Sequence, residues 1–305
     1  MLIANPKATS TSRQVRDLLV RTFSGDLDLE LAETEHRNHA TELARRAADE
    51  RFDVVVALGG DGTVNEVVNG LLAEGPDAGL PALAVLPCGS ANVFARALGL
   101  PNDPVRATRL ILDALRAGRH RSVGLGRADE RYFTFCAGIG LDAEVVHAVE
   151  RLRNSGSRAK PTLYVRAALR QFFSVSDRRR PAITLERPGL PALEDLFMAI
   201  VSNTSPWTYL GSRPVFPSPK SDFNAGLDVF ATRDLAAVTT LKLLAQMLFP
   251  LADTVRGRHT VNVHDAPEVT LVASRPIAFQ LDGDYLGERD HIEFRSVPKA
   301  IRIVI

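Results

Sequence analysis

Two short stretches carry residues whose types and spacing can do chemistry. The first, Gly59-Gly60-Asp61-Gly62-Thr63, follows the apolar run 52–58 and precedes a segment in which Val64, Val67, Val68, Leu71 and Leu72 share one helical face. It reads as a strand-to-helix loop, with the helix beginning after Thr63. Glycines let peptide N–H groups approach an anion, and a helix amino end adds a partial positive charge worth about 0.3–1 kcal/mol. The loop is therefore shaped for phosphate. Asp61 is the exception, because a carboxylate repels phosphate unless a cation stands between them; Mg²⁺, held by Asp61 directly or through water, resolves the conflict. An ordinary glycine-rich turn with Asp as a helix cap explains the same residues. The stretch matches neither the dinucleotide fingerprint nor the P-loop, since no lysine follows. The second stretch, Asp282-Gly283-Asp284, ends the apolar run 276–281. By itself it reads as a hairpin turn that happens to carry two carboxylates.

The elements that must position these stretches change character along the chain. Up to about residue 120, short apolar runs at 1–5, 27–34, 52–58 and 81–87 alternate with helix-like segments at 13–23, 40–50, 64–73, 91–98 and 105–117. This βαβ pattern predicts a doubly wound α/β domain over 1–121, with ligands at the carboxyl ends of its strands. Beyond it come runs at 132–138, 182–187, 196–203, 227–232, 260–264, 268–273, 276–283 and 291–295, with helices only at 143–153, 162–173 and 236–248. These predict an antiparallel β-sandwich domain over 122–295. The last residues, 296–305, form a strand that can return to the first domain.

Composition narrows the function classes. A net charge of +1 over 305 residues gives no reason to expect a nucleic-acid partner. Cys88 and Cys136 are the only cysteines and form no CxxC arrangement, so a zinc cluster or disulfide framework is not indicated and a reducing, cytoplasmic setting fits. The first ten residues lack the basic flank and long apolar core of a signal peptide. The longest apolar run, 243–252, is about half a membrane span and contains a proline, so no transmembrane segment is expected.

At this point the residues resemble a known family, the diacylglycerol kinase-like lipid kinases, which also include sphingosine and ceramide kinases. Its hallmark GGDGTxNEVxNGL stands here at 59–71. Further matches follow in order: Asn5-Pro6; Thr34 with His39-Ala40; LPCGSANVFARALGL at 86–100; FCAGIGLDAEVV at 135–146; PSPKSDFNAGLDVF at 217–230; and QLDGDYLGE at 280–288. Together they span nearly the whole chain.

The resemblance implies an NAD kinase- and phosphofructokinase-like nucleotide domain, ATP and Mg²⁺ as cofactors, and a lipid acceptor. It implies nucleotide contacts from Asn5, Pro6, Lys7, Ala8 and Thr9, from Thr34, from Gly59, Gly60, Asp61, Gly62, Thr63, Val64, Asn65 and Glu66, and from Gly89, Ser90 and Asn92. For Thr34 or Ser90 alone, a turn or cap is the plainer reading. The family's DGE motif ends in the carboxylate that accepts the lipid hydroxyl's proton; that position is Asp284 here, one methylene shorter, which leaves Asp282 as an alternative base or water-mediated Mg²⁺ anchor.

Three departures stand out. The NPxSG loop reads Asn5-Pro6-Lys7-Ala8-Thr9, the GTxND motif reads Gly89-Ser90-Ala91-Asn92-Val93, and the Asp-Gly that ligates a structural Mg²⁺ reads Ala225-Gly226. The last leaves Asp222 as a weak metal ligand.

Residues 151–180 hold nine basic side chains against Asp177, with Val165, Leu169, Phe172 and Phe173 on one helical stripe. They suit peripheral docking on an anionic inner membrane face, although a solvated face over core residues is the slightly plainer reading. The expected activity is transfer of the γ-phosphoryl group of ATP to a lipid hydroxyl, diacylglycerol to phosphatidate. The alternatives are a sphingosine- or ceramide-type kinase, an NAD kinase or phosphofructokinase, and a nucleotide-binding protein without catalysis. A homodimer is left open.

Overall fold

Apolar runs too short for helices become the strands of a parallel sheet in the first of two units, which comprises Met1–Gly124 and Lys299–Ile305. The structure, a computed structural model, describes residues 1–8, 13–25, 27–154, 180–250 and 252–305. Within the first unit the order is β1 (Leu2–Ala4), α1 (Arg13–Ser24), β2 (Leu31–Glu33), α2 (His39–Asp49), β3 (Val54–Gly59), α3 (Asp61–Leu71), β4 (Ala82–Pro87), α4 (Val93–Ala97) and α5 (Pro104–Arg116). The sheet order is β4-β3-β1-β2, all parallel. At its β4 edge Ile303 of the returning tail pairs in parallel with Leu83. The run at 27–34 contributes only Leu31–Glu33, because β2 is an edge strand whose ends have no second neighbour.

The central strands are buried along nearly their whole length, as expected of parallel strands covered on both faces. Leu19 and Phe23 of α1 and Ala107, Ile111 and Ala114 of α5 close one core with Val56, Leu58, Ala84 and Leu86. Helices α2 and α3 approach closely because their contact is built of small residues. Ala40, Ala44 and Ala47 are fully buried, and a Cβ at Gly70 would stand 2.3 Å from the Thr41 carbonyl oxygen.

The second unit is Leu125–Pro298. Strand β5 (His120–Ala128) leads into it, followed by β6 (Arg131–Phe133), β7 (Cys136–Gly140), α6 (Leu141–Asn154), β8 (Ile183–Arg187), β9 (Leu190–Leu196), β10 (Met198–Ser202), β11 (Thr208–Leu210), β12 (Arg213–Val215), β13 (Leu227–Thr232), α7 (Ala237–Leu248), β14 (Thr260–Ala266), β15 (Glu268–Leu281) and β16 (Asp284–Val304). Its strands run antiparallel in the order β14-β13-β10-β7-β15-β16, with β8 on β15 and β9 on β8.

Two expected breaks are absent. The runs at 268–273 and 276–283 are one strand, β15, which passes Pro276 through a register shift between Val272 and Ile277; β16 likewise continues through Pro298. A bulge leaves the proline without a ladder partner to lose, so the strand bends instead of ending. Core residues from both ends of the array meet around Phe133, Phe279 and Phe294, whose rings pack edge to face at 6.2 and 6.3 Å. The basic segment 151–180 and its helix at 162–173 lie almost wholly outside the described residues.

Candidate active site

The GGDGT stretch is tighter than the sequence suggested. Strand β3 runs to Gly59 and α3 begins at Asp61, so the five-residue loop reduces to one residue, Gly60, at the helix N-cap. Its backbone is extended (φ −93°, ψ −175°), a conformation any residue adopts. Glycine is required for space instead. A Cβ on Gly59 would lie 2.5 Å from the Thr63 Oγ1, and a Cβ on Gly89 would lie 2.6 Å from the Gly60 Cα. The turns after β3 and β4 therefore touch backbone to backbone, which no side chain permits.

Neighbouring groups hold this contact. Asn92, in the left-handed region (φ 49°) and 4% exposed, donates to the Gly89 carbonyl (2.9 Å) and the Asn102 Oδ1 (2.6 Å) and accepts the Gly89 N–H (2.8 Å). Asp61 accepts the Phe94 N–H on Oδ1 (3.1 Å), which couples α3 to the start of α4. Asn5 donates to the Thr63 Oγ1 (3.1 Å) and accepts the Lys7 N–H (2.9 Å). The Thr34 N–H reaches the Ala4 carbonyl (2.9 Å). Asn5, Thr34, Gly60, Thr63 and Gly89 thus stand at the carboxyl ends of adjacent strands. The α3 N-cap has no side-chain hydrogen bond. Pro6, Lys7 and Ser90 are exposed, Ala8 and Gly62 half-buried, and Thr9 lies outside the described residues.

Other hallmark residues face elsewhere. Val64 and Asn65 are 2% and 1% exposed, and Asn65 accepts from Asn69. Glu66 spends both carboxylate oxygens on the start of α2, accepting the Asn38 N–H (3.0 Å) and the Ala40 N–H (3.2 Å). It supplies the cap that the Asn38 side chain does not.

In the second unit, Asp282 and Gly283 are the central residues of the hairpin joining β15 to β16, with φ 48° and 82° as a type I′ turn demands. Asp282 is 4% exposed, and its carboxylate accepts four hydrogen bonds: Thr134 N–H (2.7 Å) and O–H (2.8 Å), Phe135 N–H (3.0 Å) and Cys136 N–H (3.2 Å). Asp284 follows at the first position of β16 and is half-buried. Its neighbour Tyr285 packs on His147 of α6, ring centroids 4.0 Å apart. Burial, and then Glu288, raise the Tyr285 phenol above its ordinary range.

Sequence reasoning passed over two residues here. Gln280 accepts the Gly283 N–H on Oε1 (2.9 Å) and donates through Nε2 to the Asp142 Oδ2 (2.7 Å). Asp142, at the start of α6, is buried, and desolvation raises its carboxyl to about 6 against the smaller opposing pull of Gln280. Gly138 leaves it room, since a Cβ there would fall 1.6 Å from the Asp142 Oδ2. Both residues stand inside quoted motifs, Asp142 in FCAGIGLDAEVV and Gln280 at the head of QLDGD. That was the available signal. The hairpin carrying Asp284 is thus fixed twice, through Asp282 and through Gln280.

The loop around Asp222 offers less. Its Oδ1 accepts the Asn224 N–H (2.9 Å) and Nδ2 (2.6 Å), closing a local turn. Nearby Asp228 accepts from the His264 Nδ1 (2.7 Å) and the Asp265 N–H (3.0 Å), and Asp265 accepts the Gly226 N–H (2.6 Å). Among the described residues, the group of three ligand-type side chains that does converge, within 4.8 Å, is His36, His39 and Glu42. There the Glu35 N–H points at the His39 Nδ1 (3.1 Å), which leaves the neutral ring's proton on Nε2 and opposes metal binding through that atom.

Known proteins resemble this chain in sequence and in fold. The model of the diacylglycerol kinase catalytic domain matches residues 1–128. Curated diacylglycerol kinases of Staphylococcus aureus strains JH9 and Newman are 39% identical over 293 residues, covering 94% of this chain and 86% of theirs. In solved structures, a diacylglycerol kinase from Bacillus anthracis str. Sterne superposes with a TM-score of 0.71 at 19% identity, covering 99% of this chain and 95% of that one. An NAD kinase from Archaeoglobus fulgidus in complex with ATP gives 0.54 at 11% identity, covering 100% and 94%. Those structural likenesses concern the fold, whereas the curated sequences decide membership: the chain belongs to the diacylglycerol kinase family and is a lipid kinase.

Proposed function

We propose that the protein transfers the γ-phosphoryl group of ATP to the free hydroxyl of diacylglycerol, forming phosphatidate. The observation that carries this reading is the junction of Gly60 and Gly89. It leaves the amino end of α3 without a side-chain cap, beside Asp61 and Thr63, where peptide N–H groups and a helix dipole favour a phosphate tail. The hard carboxylate oxygens of Asp61 suit Mg²⁺, which when bound neutralises phosphate charge. Asn5 and Thr34 border the same strand ends and suit polar contacts to the nucleotide.

On the acceptor side, Asp284 takes the hydroxyl proton as the O–P bond forms and the bond from the γ-phosphorus to the bridging oxygen breaks, leaving ADP. Such transfers are largely positioning, so a carboxylate base acting late is adequate. Asp282, saturated by four donors, serves to hold the turn. With Ala225 in place of an acid and the Asp222 Oδ1 engaged in a local turn, a second Mg²⁺ at Asp222 has little support. ATP as donor places the reaction on the cytoplasmic side, with the lipid met at the inner membrane face.

Incubation with labelled ATP, Mg²⁺ and, separately, diacylglycerol, sphingosine, NAD and fructose 6-phosphate tests the proposal. Label is expected in phosphatidate alone. Label in sphingosine phosphate instead, or in none of the four, overturns the acceptor assignment.

A further inference from the structure

Helix α7 does not follow the usual division into an apolar inner and a polar outer face. Its inward side is made by Leu243 and Met247, each 5% exposed. Its outward side is apolar too: Val238 is 66% exposed, Leu241 62%, Leu244 42%, and Phe249 at the C-cap 53%. At 3.6 residues per turn, Val238, Leu241, Ala245 and Phe249 fall on one stripe with Leu244 and Leu248 beside it. Single exposed apolar residues are ordinary, but four of the eight large ones exposed among the described residues gather on this helix and its cap.

The charges on the helix and against its last turn are basic, and the exposed Asp253 of the following loop lies 3.8 Å from the Lys220 ammonium. The helix contains no acidic residue, and Lys242 is its only charged one. The Arg213 guanidinium lies 4.2 Å from the centroid of the Phe249 ring. Arg256 is brought to the last turn by Gln246, which accepts its N–H and donates to its carbonyl, both at 2.9 Å. All three cations are exposed. The acid at the amino end, Asp234, is committed to the Ala236 N–H (2.8 Å) and the Thr239 O–H (2.7 Å).

We propose that α7 docks the protein on an anionic bilayer, with Val238, Leu241, Leu244 and Phe249 entering the acyl boundary and Lys242, Arg213 and Arg256 meeting lipid phosphates. This rests on the lipid-kinase reading, under which the acceptor resides in a bilayer that the protein must reach. No helix among the described residues is long and apolar enough to cross one. An interfacial helix with an apolar face and basic flanks has the required chemistry, because long cationic side chains keep their heads at the phosphates while their stems lie on apolar surface. A second copy fits less well. A two-fold contact through this face would bring two copies of the basic set Lys242, Arg213 and Arg256 together, with no acid on either helix to separate them.

The test uses the full chain and cosedimentation with phosphatidylglycerol-rich or pure phosphatidylcholine vesicles, for the wild type, Leu241→Glu/Phe249→Ser and Arg213→Glu/Lys242→Glu. Kinase rate is measured on diacylglycerol in those vesicles and on a short-chain diacylglycerol dissolved as monomer. The apolar pair of changes is expected to lower vesicle binding at least about tenfold, the loss from unburying two large side chains. The charge reversals are expected to abolish the preference for anionic vesicles, with turnover of the monomeric substrate unchanged in both variants. Unaltered cosedimentation of both variants overturns the proposal. So does a change of oligomeric state in sedimentation velocity with vesicle binding intact, which would assign the face to a second copy. If the wild type phosphorylates diacylglycerol in neither form, the acceptor assignment fails, and docking is then decided by cosedimentation alone.

Discussion

Replacement of Asp282 by Asn separates a structural carboxylate from a catalytic one. The wild-type side chain accepts from the Thr134 N–H and O–H on one oxygen and from the Phe135 and Cys136 N–H groups on the other. An amide retains one acceptor oxygen. Its better orientation keeps that oxygen on Phe135 and Cys136 and lets the new NH₂ donate to the Thr134 hydroxyl, which can rotate to accept. The Thr134 N–H is then buried without an acceptor, at a cost of about 1–3 kcal/mol, and the surviving bonds lose the assistance of the charge. Relief from burying that charge offsets part of this. A net loss of about 3 kcal/mol lowers the melting temperature on the order of 10 °C for a unit of this size. Differential scanning calorimetry reads the effect directly, with Asp284→Asn as the comparator. The comparator's half-exposed side chain should leave stability within about 0.5 kcal/mol of wild type. An Asp282→Asn protein that melts like wild type yet transfers no phosphate would refute the structural role and return the base to Asp282.

Three further outcomes follow from the same geometry. Asp284→Asn should retain ATP binding by calorimetric titration and lose transfer; full activity would exclude it as the base. Asp142 has a folded pKa raised to about 6 from 3.8, so the folded state favours its protonated form. Its penalty is absent below about pH 4, grows between pH 4 and 6, and is complete above that. By linkage Asp142→Asn should therefore stabilise the protein by up to about 3 kcal/mol at pH 7, with the gain vanishing towards pH 4, as measured by urea denaturation across pH. Gly89→Ala drives a methyl into the Gly60 backbone, and an overpacking cost of about 1–3 kcal/mol should appear as a KM for ATP raised roughly tenfold, while kcat in saturating ATP changes less.

Local regularities in the sequence determined much of this protein. Runs such as 52–58 and 81–87 are continuous apolar stretches because parallel strands are covered on both faces, and the spacing of Val64, Val67, Val68 and Leu71 specifies which side of α3 meets the sheet. The Asp-Gly pair at 282–283 announced its hairpin, since few residues tolerate two successive positive φ angles. The ordered motifs disclosed the family. Only tertiary structure decided what each motif residue does. Nothing near Gly60 in sequence reveals that it abuts Gly89, so its glycine reads as a phosphate device when it is first a contact between two backbones. Asp282 looks like Asp284 until the chain returns Thr134 to it across 148 residues and saturates one carboxylate while leaving the other half-exposed. The run beginning at Pro276 reads as a separate strand because a local rule cannot anticipate a register shift against a partner strand. Hydrophobic periodicity is a property of neighbours along the chain, whereas hydrogen-bond saturation and van der Waals clearance are properties of neighbours in space, and the latter separate a buried clamp from a reactive group.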